Sequence, residues 1–257
     1  MKTNSIYAKK IVEAAQPYLE GKTVTDFVIG LSLICCQLSD GSIGVTYTLK
    51  DDLPKGGCGS YAYTQNVIGI PASQIAQWFA DGTDDIQRAL GDCVLSAASQ
   101  SCEIENDDGM FNMDFGKEDT VGMIGMIYPV AAAIKDKVKD LIIFDKGMSS
   151  CGGPMKIYPM DVQPLLLPKC DKMIITGTST INGTIDDLLN MCSNAKEIAI
   201  IGASTPMFTQ AFKDTNVKVL AGSWWRKEYK EEIFHEVSTA GGMARVKKYM
   251  IKKAAKV

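Results

Sequence analysis

The densest chemistry in this sequence is the run Thr176-Gly177-Thr178-Ser179-Thr180-Ile181-Asn182-Gly183-Thr184. Four threonines, one serine, one asparagine and two glycines stand between an apolar strand pattern and a helix pattern. Hydroxyls and backbone N–H groups at a helix start suit a polar or anionic ligand. Capping is the competing use, with Asn182 or Thr184 as the cap and Asp187 completing a capping box. Capping needs one or two such residues, and this run holds more, so the segment is read as a binding loop.

Other segments repeat the scheme at the ends of apolar runs. Gly125-Met126-Ile127-Tyr128-Pro129 offers a glycine that lets backbone approach a ligand and a proline suited to a first helical turn. It is not a Gly-x-Gly-x-x-Gly fingerprint, which counts against a conventional dinucleotide site. Asp145 closes the next run, where a carboxylate can accept ribose hydroxyls; a helix cap or an ion pair with Lys146 is the alternative. Gly202-Ala203-Ser204-Thr205-Pro206 supplies a glycine and two hydroxyls, and Ala221-Gly222-Ser223 closes the fifth run before Trp224-Trp225. The tryptophans can stack on a flat ligand, although burial in a core or interface suits them better.

These segments need a scaffold, and the pattern from Asp119 onward provides one. Strands are expected at 120–126, 141–144, 172–176, 197–201 and 217–220. Helices are expected at 129–137, 184–192, 206–212, 227–237 and 242–255. Apolar runs without alternation that alternate with helices imply a parallel sheet in right-handed βαβ units. The leading part reads as a helix at 6–19, a hairpin of strands 24–38 and 42–49 turned by Ser39-Asp40-Gly41, and helices at 71–80 and 83–101. Between them, residues 103–119 are rich in Asp and Glu and read as a connection. The expectation is a small α+β domain over 1–110 and a Rossmann-like α/β domain over 111–257.

Composition narrows the function classes. With a hydrophobic fraction of 46%, a charged fraction of 22% and a formal charge of −3, the chain is an ordinary globule with no basic surface for nucleic acid or anionic membrane. Its one basic run, Arg245 to Lys256, is read as a solvated last helix. The longest apolar stretch, Met123 to Ile134, contains Pro129 and is far shorter than the roughly 20 residues a span requires. No apolar signal core opens the sequence, so a cytoplasmic location is expected.

Eight cysteines accompany a single histidine, His235, and none forms a Cys-x-x-Cys pair. In a reducing compartment they are thiols. Cys35, Cys36, Cys93 and Cys192 lie in apolar runs as small core residues. Cys58 and Cys151 stand in Gly-rich loops, where exposed thiols can bind a soft metal.

The runs Ile124 to Pro129, Ile143-Phe144-Asp145, Ile174 to Thr184, Ile200 to Pro206 and Ala221-Gly222 together resemble the family called the "putative heavy-metal chelation" domain. The segment Asp40 to Thr48 resembles the enolase-N-terminal-like domain that leads its members. The likeness covers most of the chain, and the Thr-Gly-Thr to Asn-Gly-Thr run is its specific part. It implies a Rossmann-like domain, partly like methyltransferases, with the leading domain over one side of a cleft. It also implies the handling of metals or of pterin-, flavin- or siderophore-like chelating compounds. Two departures stand out. Asp145 occupies a place where Glu is expected, and Gly91-Asp92-Cys93-Val94-Leu95-Ser96-Ala97 lacks the Asn of a Gly-x-Ala-x-x-Asn-Ala pattern.

The expected ligand-binding residues are Gly125, Asp145, Thr176, Gly177, Thr178, Thr180, Asn182, Gly183, Thr184, Gly202, Ser204 and Gly222, with Cys58 and Cys151 as candidate metal ligands. The partner is a small molecule or metal chelate, the cofactor a transition metal or a nucleotide-like compound, and the assembly a homodimer on base rates. Three functions compete: an enzyme with an acid or base such as Asp145 in the cleft, a non-catalytic metal binder using Cys58 and Cys151, and an S-adenosylmethionine-dependent methyltransferase.

Overall fold

A computed structural model describes residues 5–49, 61–104, 113–148 and 155–257. Cys58 and Cys151, the candidate metal ligands, lie outside the described residues. The leading part contains α1 (Ile6–Leu19), β1 (Val24–Ile29), β2 (Leu33–Leu38), β3 (Ile43–Tyr47), α2 (Ala72–Asp81) and α3 (Asp85–Ala98). There follow β4 (Thr120–Ile124), α4 (Tyr128–Ile134), β5 (Asp140–Phe144), β6 (Ile157–Tyr158), α5 (Gln163–Leu166), β7 (Lys172–Thr176), α6 (Thr178–Ile181) and α7 (Ile185–Met191). The chain closes with β8 (Glu197–Ile201), β9 (Val217–Trp225), α8 (Lys230–Ser238), α9 (Met243–Val246) and β10 (Met250–Lys256).

Two sheets result. One is an antiparallel meander, β1-β2-β3. The other has the order β10-β9-β8-β7-β4-β5-β6, parallel throughout except for the antiparallel edge strand β10. From β6 to β9 this is the doubly wound arrangement, extended by one edge strand.

The helices are where local chemistry puts them. Ser5 caps α1 by accepting from the Ala8 N–H, and Asp84 caps α3 by accepting from the Gln87 N–H. Every residue of α3 except Gln87 is buried, as expected of a helix enclosed on all sides. It packs on β2 and β3 so closely that a side chain at Gly44 would overlap the Cys93 carbonyl oxygen.

The core is shared between the two parts of the chain. One continuous cluster joins Ile11, Phe79 and Leu90 of the leading helices to Ile175, Ile200, Phe208 and Leu220 of the second part. The opposite face of the large sheet buries Met123, Ile143 and Ile174 against Ala131 and Ile134 of α4. The free face of the meander is covered by Ile233, Phe234 and Val237 of α8, which meet Leu33, Cys35 and Val45. The leading unit is therefore seated on the second through buried apolar surface, which is the dominant stabilising term.

Four expectations are corrected here. The predicted strand 24–38 is two strands, reversed at Gly30-Leu31-Ser32. Both faces of this sheet are covered, so its apolar run has no alternation to mark the break. The predicted last helix, 242–255, is one helical turn followed by β10, paired with β9 from Met250↔Trp225 to Lys256↔Val219. Ala and Lys favour helix intrinsically, but the unpaired edge of β9 outweighs that weak preference. Its lysines accordingly lie on a strand, and Lys253 is buried. The helix expected at 206–212 is a short turn of tight helix at Thr209–Phe212. Finally, β9 runs on through Trp225, so Gly222 is in mid-strand, paired with Lys253, and not at a strand end.

Candidate functional site

In a doubly wound sheet the connections leave in opposite directions from one strand, and a crevice opens there beyond the carboxyl ends. Here that strand is β4, with β5 and β6 on one side and β7 to β10 on the other. The loops after β4 and β7 meet. Gly125 has a φ of +83°, and a Cβ on it would lie 2.9 Å from Thr176 Cβ. The loop is pinned from the β5 side as well. Gly125 N–H donates to the Phe144 carbonyl at 2.8 Å, and Met126 N–H donates to Asp145 Oδ2 at 2.7 Å. The other carboxylate oxygen accepts the Met148 N–H at 2.9 Å. Asp145 thus ties the two loops together through backbone donors. The left-handed φ and the contact with Thr176 both resist a side chain at 125. Gly125→Ala is expected to cost about 1–2 kcal/mol, read as a lower urea midpoint with an unchanged m-value.

The threonine loop is not extended. Residues Thr178–Ile181 form the helical turn α6, and most hydroxyls satisfy local backbone. Ser179 Oγ donates to the Thr176 carbonyl at 2.8 Å, and Thr180 Oγ1 donates to the Gly177 carbonyl at 2.7 Å. Asn182 Oδ1 accepts both the N–H and the hydroxyl of Thr184, opening α7. Gly183 supplies a φ of +71° at this turn. Ser179 and Thr180 are buried, whereas Thr176 and Thr178, with their hydroxyls 3.0 Å apart, remain half-buried at the carboxyl end of β7. Thr180, Asn182, Gly183 and Thr184 therefore shape the loop from behind.

The leading unit holds this loop and the next. Arg88 of α3 is buried and donates through Nε to the Ile181 carbonyl at 3.0 Å and through Nη1 to the Gly82 carbonyl at 2.8 Å, and it pairs with Asp85. Gly177 packs against the Ser204 carbonyl so closely that no side chain fits. Ser204 turns away from the crevice: its Oγ accepts the Tyr47 N–H at 2.9 Å and lies 2.6 Å from Thr46 Oγ1, which is itself 2.5 Å from Asp92 Oδ2. Burial pushes the Asp92 carboxyl up to about 8, opposed only by the Thr46 hydrogen bond. Gly202, with a φ of +125°, is exposed at the end of β8.

Residue by residue, then, the structure brings Gly125, Asp145, Thr176, Gly177 and Thr178 together, with Gly202 beside Gly177 N at 3.9 Å from its own Cβ position. It turns Ser204 toward β3 and sets Gly222 against Met207 and the Thr205 carbonyl. Sequence reasoning passed over Thr46, Arg88, Asp92 and the half-exposed Tyr128. The available signal was charge beside apolar residues on a helix: Arg88 and Asp92 stand next to Ala89, Leu90, Cys93, Val94 and Leu95 of α3. Tyr128 is exposed at the start of α4, three residues after Gly125. Trp225 belongs to the core against α8, and Trp224 lies under the Lys253 ammonium at 4.4 Å from the ring centre.

The described residues do not fit a metal ion bound directly. No group of three or more His, Cys, Asp or Glu side chains converges among them. Burial raises the thiols of Cys102 and Cys170 to about 11 and Cys192 to about 12, and it also raises Cys35 and Cys93. Burial thus keeps these thiols protonated in the metal-free protein. An open groove of about 640 Å³, lined by Gln74, Gln77, Trp78 and Gln87 among others, lies on the leading unit, and none of the strand-end loops contributes to it. No helix among the described residues is long and apolar enough to cross a membrane.

Comparison with known proteins places this arrangement. A family model described as "putative heavy-metal chelation" matches residues 108–256, and a second model with the same description matches 12–99. An uncharacterized protein of Methanocaldococcus jannaschii is 26% identical over 151 residues, which cover 56% of this chain and 57% of that relative. The chain thus matches little more than half the length of that relative. Among solved structures, a protein of unknown function from Pyrococcus horikoshii superposes with a TM-score of 0.77 at 22% identity, covering 98% of this chain and 100% of the other. A second, from Desulfitobacterium hafniense, superposes with a TM-score of 0.76 at 19% identity, covering 97% and 99%.

Proposed function

This chain belongs to the heavy-metal chelation family just described, and on that premise we propose that it binds a small heteroaromatic or metal-chelating compound at the carboxyl ends of β4, β5 and β7. The metal, in this reading, arrives already chelated, because the described side chains offer oxygen and backbone groups and no thiolate cage. The single observation that supports it most is the meeting of the β4 and β7 loops, where Gly125 contacts Thr176 and Asp145 fixes Met126. Such a junction leaves half-buried hydroxyls and bare backbone facing one crevice, the usual place for a ligand in this architecture.

Each group has a role. Gly125 and Gly202 keep the rim free of side chains. Thr176 and Thr178 offer hydroxyls that can donate to or accept from a chelate oxygen. Tyr128 stacks on a flat ring. Asp145, whose two oxygens already accept backbone N–H groups, positions the loop. The function is binding, and no acid–base pair is assigned to a reaction.

The test begins with native mass spectrometry of the freshly purified protein. Calorimetry then follows with a pterin, a flavin mononucleotide, a ferric catecholate chelate, free transition-metal ions and S-adenosylmethionine. A heteroaromatic or chelate ligand is expected to bind, and Thr178→Val and Tyr128→Ala are each expected to weaken it about tenfold. Indifference of every panel member, or binding untouched by both substitutions, overturns the reading. Heat from S-adenosylmethionine alone supports a methyltransferase instead, and heat from free metal alone supports a direct metal binder.

A separate expectation concerns Asp145. Asp145→Asn replaces one acceptor with a donor facing a backbone N–H. Ligand affinity should fall about tenfold, in line with the 1.5–3 kcal/mol typical of a hydrogen bond to a charged group, with some local loosening discounted for exposure. Titration of the variant beside the parent protein checks this, and equal affinities would remove Asp145 from the site.

A further inference from the structure

The hydroxyl chain between Asp92 and Ser204 joins the two sheets across 158 residues of sequence at its Thr46–Ser204 link. All three side chains are buried: Asp92 and Thr46 are 0% exposed and Ser204 is 1% exposed. Asp92 Oδ1 has no hydrogen-bond partner among the described residues. A proton count allows this chain two hydrogen-bond directions. Thr46 owns one hydroxyl proton but stands within hydrogen-bond distance of both Asp92 Oδ2 and Ser204 Oγ. With Asp92 ionised, Thr46 must donate to Oδ2, and Ser204 donates to Thr46. With Asp92 protonated on Oδ2, the acid donates to Thr46, Thr46 donates to Ser204, and the Ser204 hydroxyl keeps its proton but points it out of the chain. In both states Ser204 Oγ accepts the Tyr47 N–H.

No described residue neutralises the ionised state. Arg88, one turn earlier on α3, is committed to Asp85 and to the Gly82 and Ile181 carbonyls. The ionisable neighbours of Asp92 are the thiol of Cys93 on α3 and, through it, Cys36 and Cys35 on β2; these add negative charge when they titrate. β3 brings the Thr46 hydroxyl, while the Tyr47 ring lies on the opposite face of the meander, against the cluster under α8. α1 and α2 present their buried apolar faces, α6 brings Ser179, Thr180 and Ile181, and the buried part of β9 near α3 is uncharged. An ionised Asp92 with a bare Oδ1 is relieved only by water, which requires β3 and α3 to part from the turn at Ser204.

We propose that Asp92, Thr46 and Ser204 form a proton-linked seat, in which protonated Asp92 holds β3 and α3 onto the Gly202–Pro206 turn and release of the proton loosens that contact. Asp92 is a positioning residue that acts through Ser204. Its consequence for the ligand, a looser rim at Gly202 as pH rises, rests on the crevice reading above; the seat itself does not. Opening releases one proton at any pH between the ordinary carboxylate value and that of the buried acid, so the open fraction rises about tenfold per pH unit in that window.

Two measurements on the full chain test this. The side-chain carboxyl carbon of Asp92, followed by NMR, is expected to titrate near pH 8, and Thr46→Val is expected to move that midpoint upward by removing the one opposing hydrogen bond. Hydrogen exchange at Thr46, Tyr47 and Ser204, corrected for intrinsic rates, is expected to lose about tenfold in protection per unit from pH 5 to 8. In Asp92→Asn that slope should vanish. A carboxyl that titrates in the ordinary range, a midpoint that falls in Thr46→Val, or an equal slope in Asp92→Asn overturns the proposal. The wild-type titration decides even if the Asn variant does not fold. Failure of every ligand in the calorimetric panel would leave these results standing, so the two readings fail separately.

Discussion

Arg88→Ala is expected to lower unfolding stability by about 3–5 kcal/mol, the range for leaving one member of a buried ion pair without its partner. The guanidinium and the Asp85 carboxylate are only 11% and 10% exposed as side chains, so water does not replace the lost contact. The same substitution strands the Gly82 and Ile181 carbonyls. Urea denaturation checks the size: a loss under 1 kcal/mol would mean that Asp85 finds another partner. Arg88→Lys should recover less than half of the loss, because one ammonium cannot meet three acceptors that the planar fork serves at fixed angles. Changing Asp85 and Arg88 together to Leu and Met should cost less than Arg88→Ala alone, because no buried charge then remains. The functional consequence is specific. The Ile181 carbonyl ends the turn that follows Thr178, so the Ala variant should also weaken ligand binding, even at temperatures where it is fully folded.

The second large effect is a dependence of stability on pH that a single residue controls. The Asp92 carboxyl sits near 8 in the folded protein against an ordinary 3.8. A raised acid binds its proton more tightly when folded, so the folded state holds more protons than the unfolded one between those two values. Stability from this group is therefore fully present below about pH 4 and is lost as pH rises toward 8, at up to about 1.4 kcal/mol per unit. Above pH 8 both states are ionised and the loss levels off. The thiols that titrate at about 11 and 12 lie outside this window. Denaturant midpoints from pH 5 to 8 should accordingly fall in the wild type by more than in Asp92→Asn. The Asn variant carries no ionisable group there, although its unpaired amide costs about 1–3 kcal/mol throughout. Parallel slopes for the two proteins would show that Asp92 is not the controlling group.

Much of the scaffold was legible in the sequence because its signals are local or periodic. Lys172–Thr176 and Glu197–Ile201 are apolar runs of strand length bounded by Gly and polar residues, and the structure places strands at those residues. The caps at Ser5 and Asp84 are local too. What misled the reading were segments whose conformation depends on a distant partner. Met250–Lys256 is composed mainly of Lys, Ala and Met, all good helix formers, yet it is a strand because β9 presents an unpaired edge. Val24–Leu38 hid its reversal because both faces of the meander are buried. In the threonine loop, hydroxyls that satisfy local backbone and hydroxyls left for a ligand have the same composition, so counting them could not tell Thr180 from Thr178.

By itself, then, the sequence determined the class of the fold, the succession of strand ends that carry glycines and hydroxyls, and the family likeness that the comparisons bear out. Tertiary structure alone decided which of those strand ends meet, which hydroxyls already satisfy backbone, and how the leading unit is seated. Asp92, Thr46 and Ser204 have nothing in common along the chain. They become a unit only because α3 and β3 are pressed against the turn after β8 by a core that both parts of the chain share. Local propensity and periodicity act over a few residues, whereas a buried hydrogen-bond chain depends on contacts that form only when that core closes.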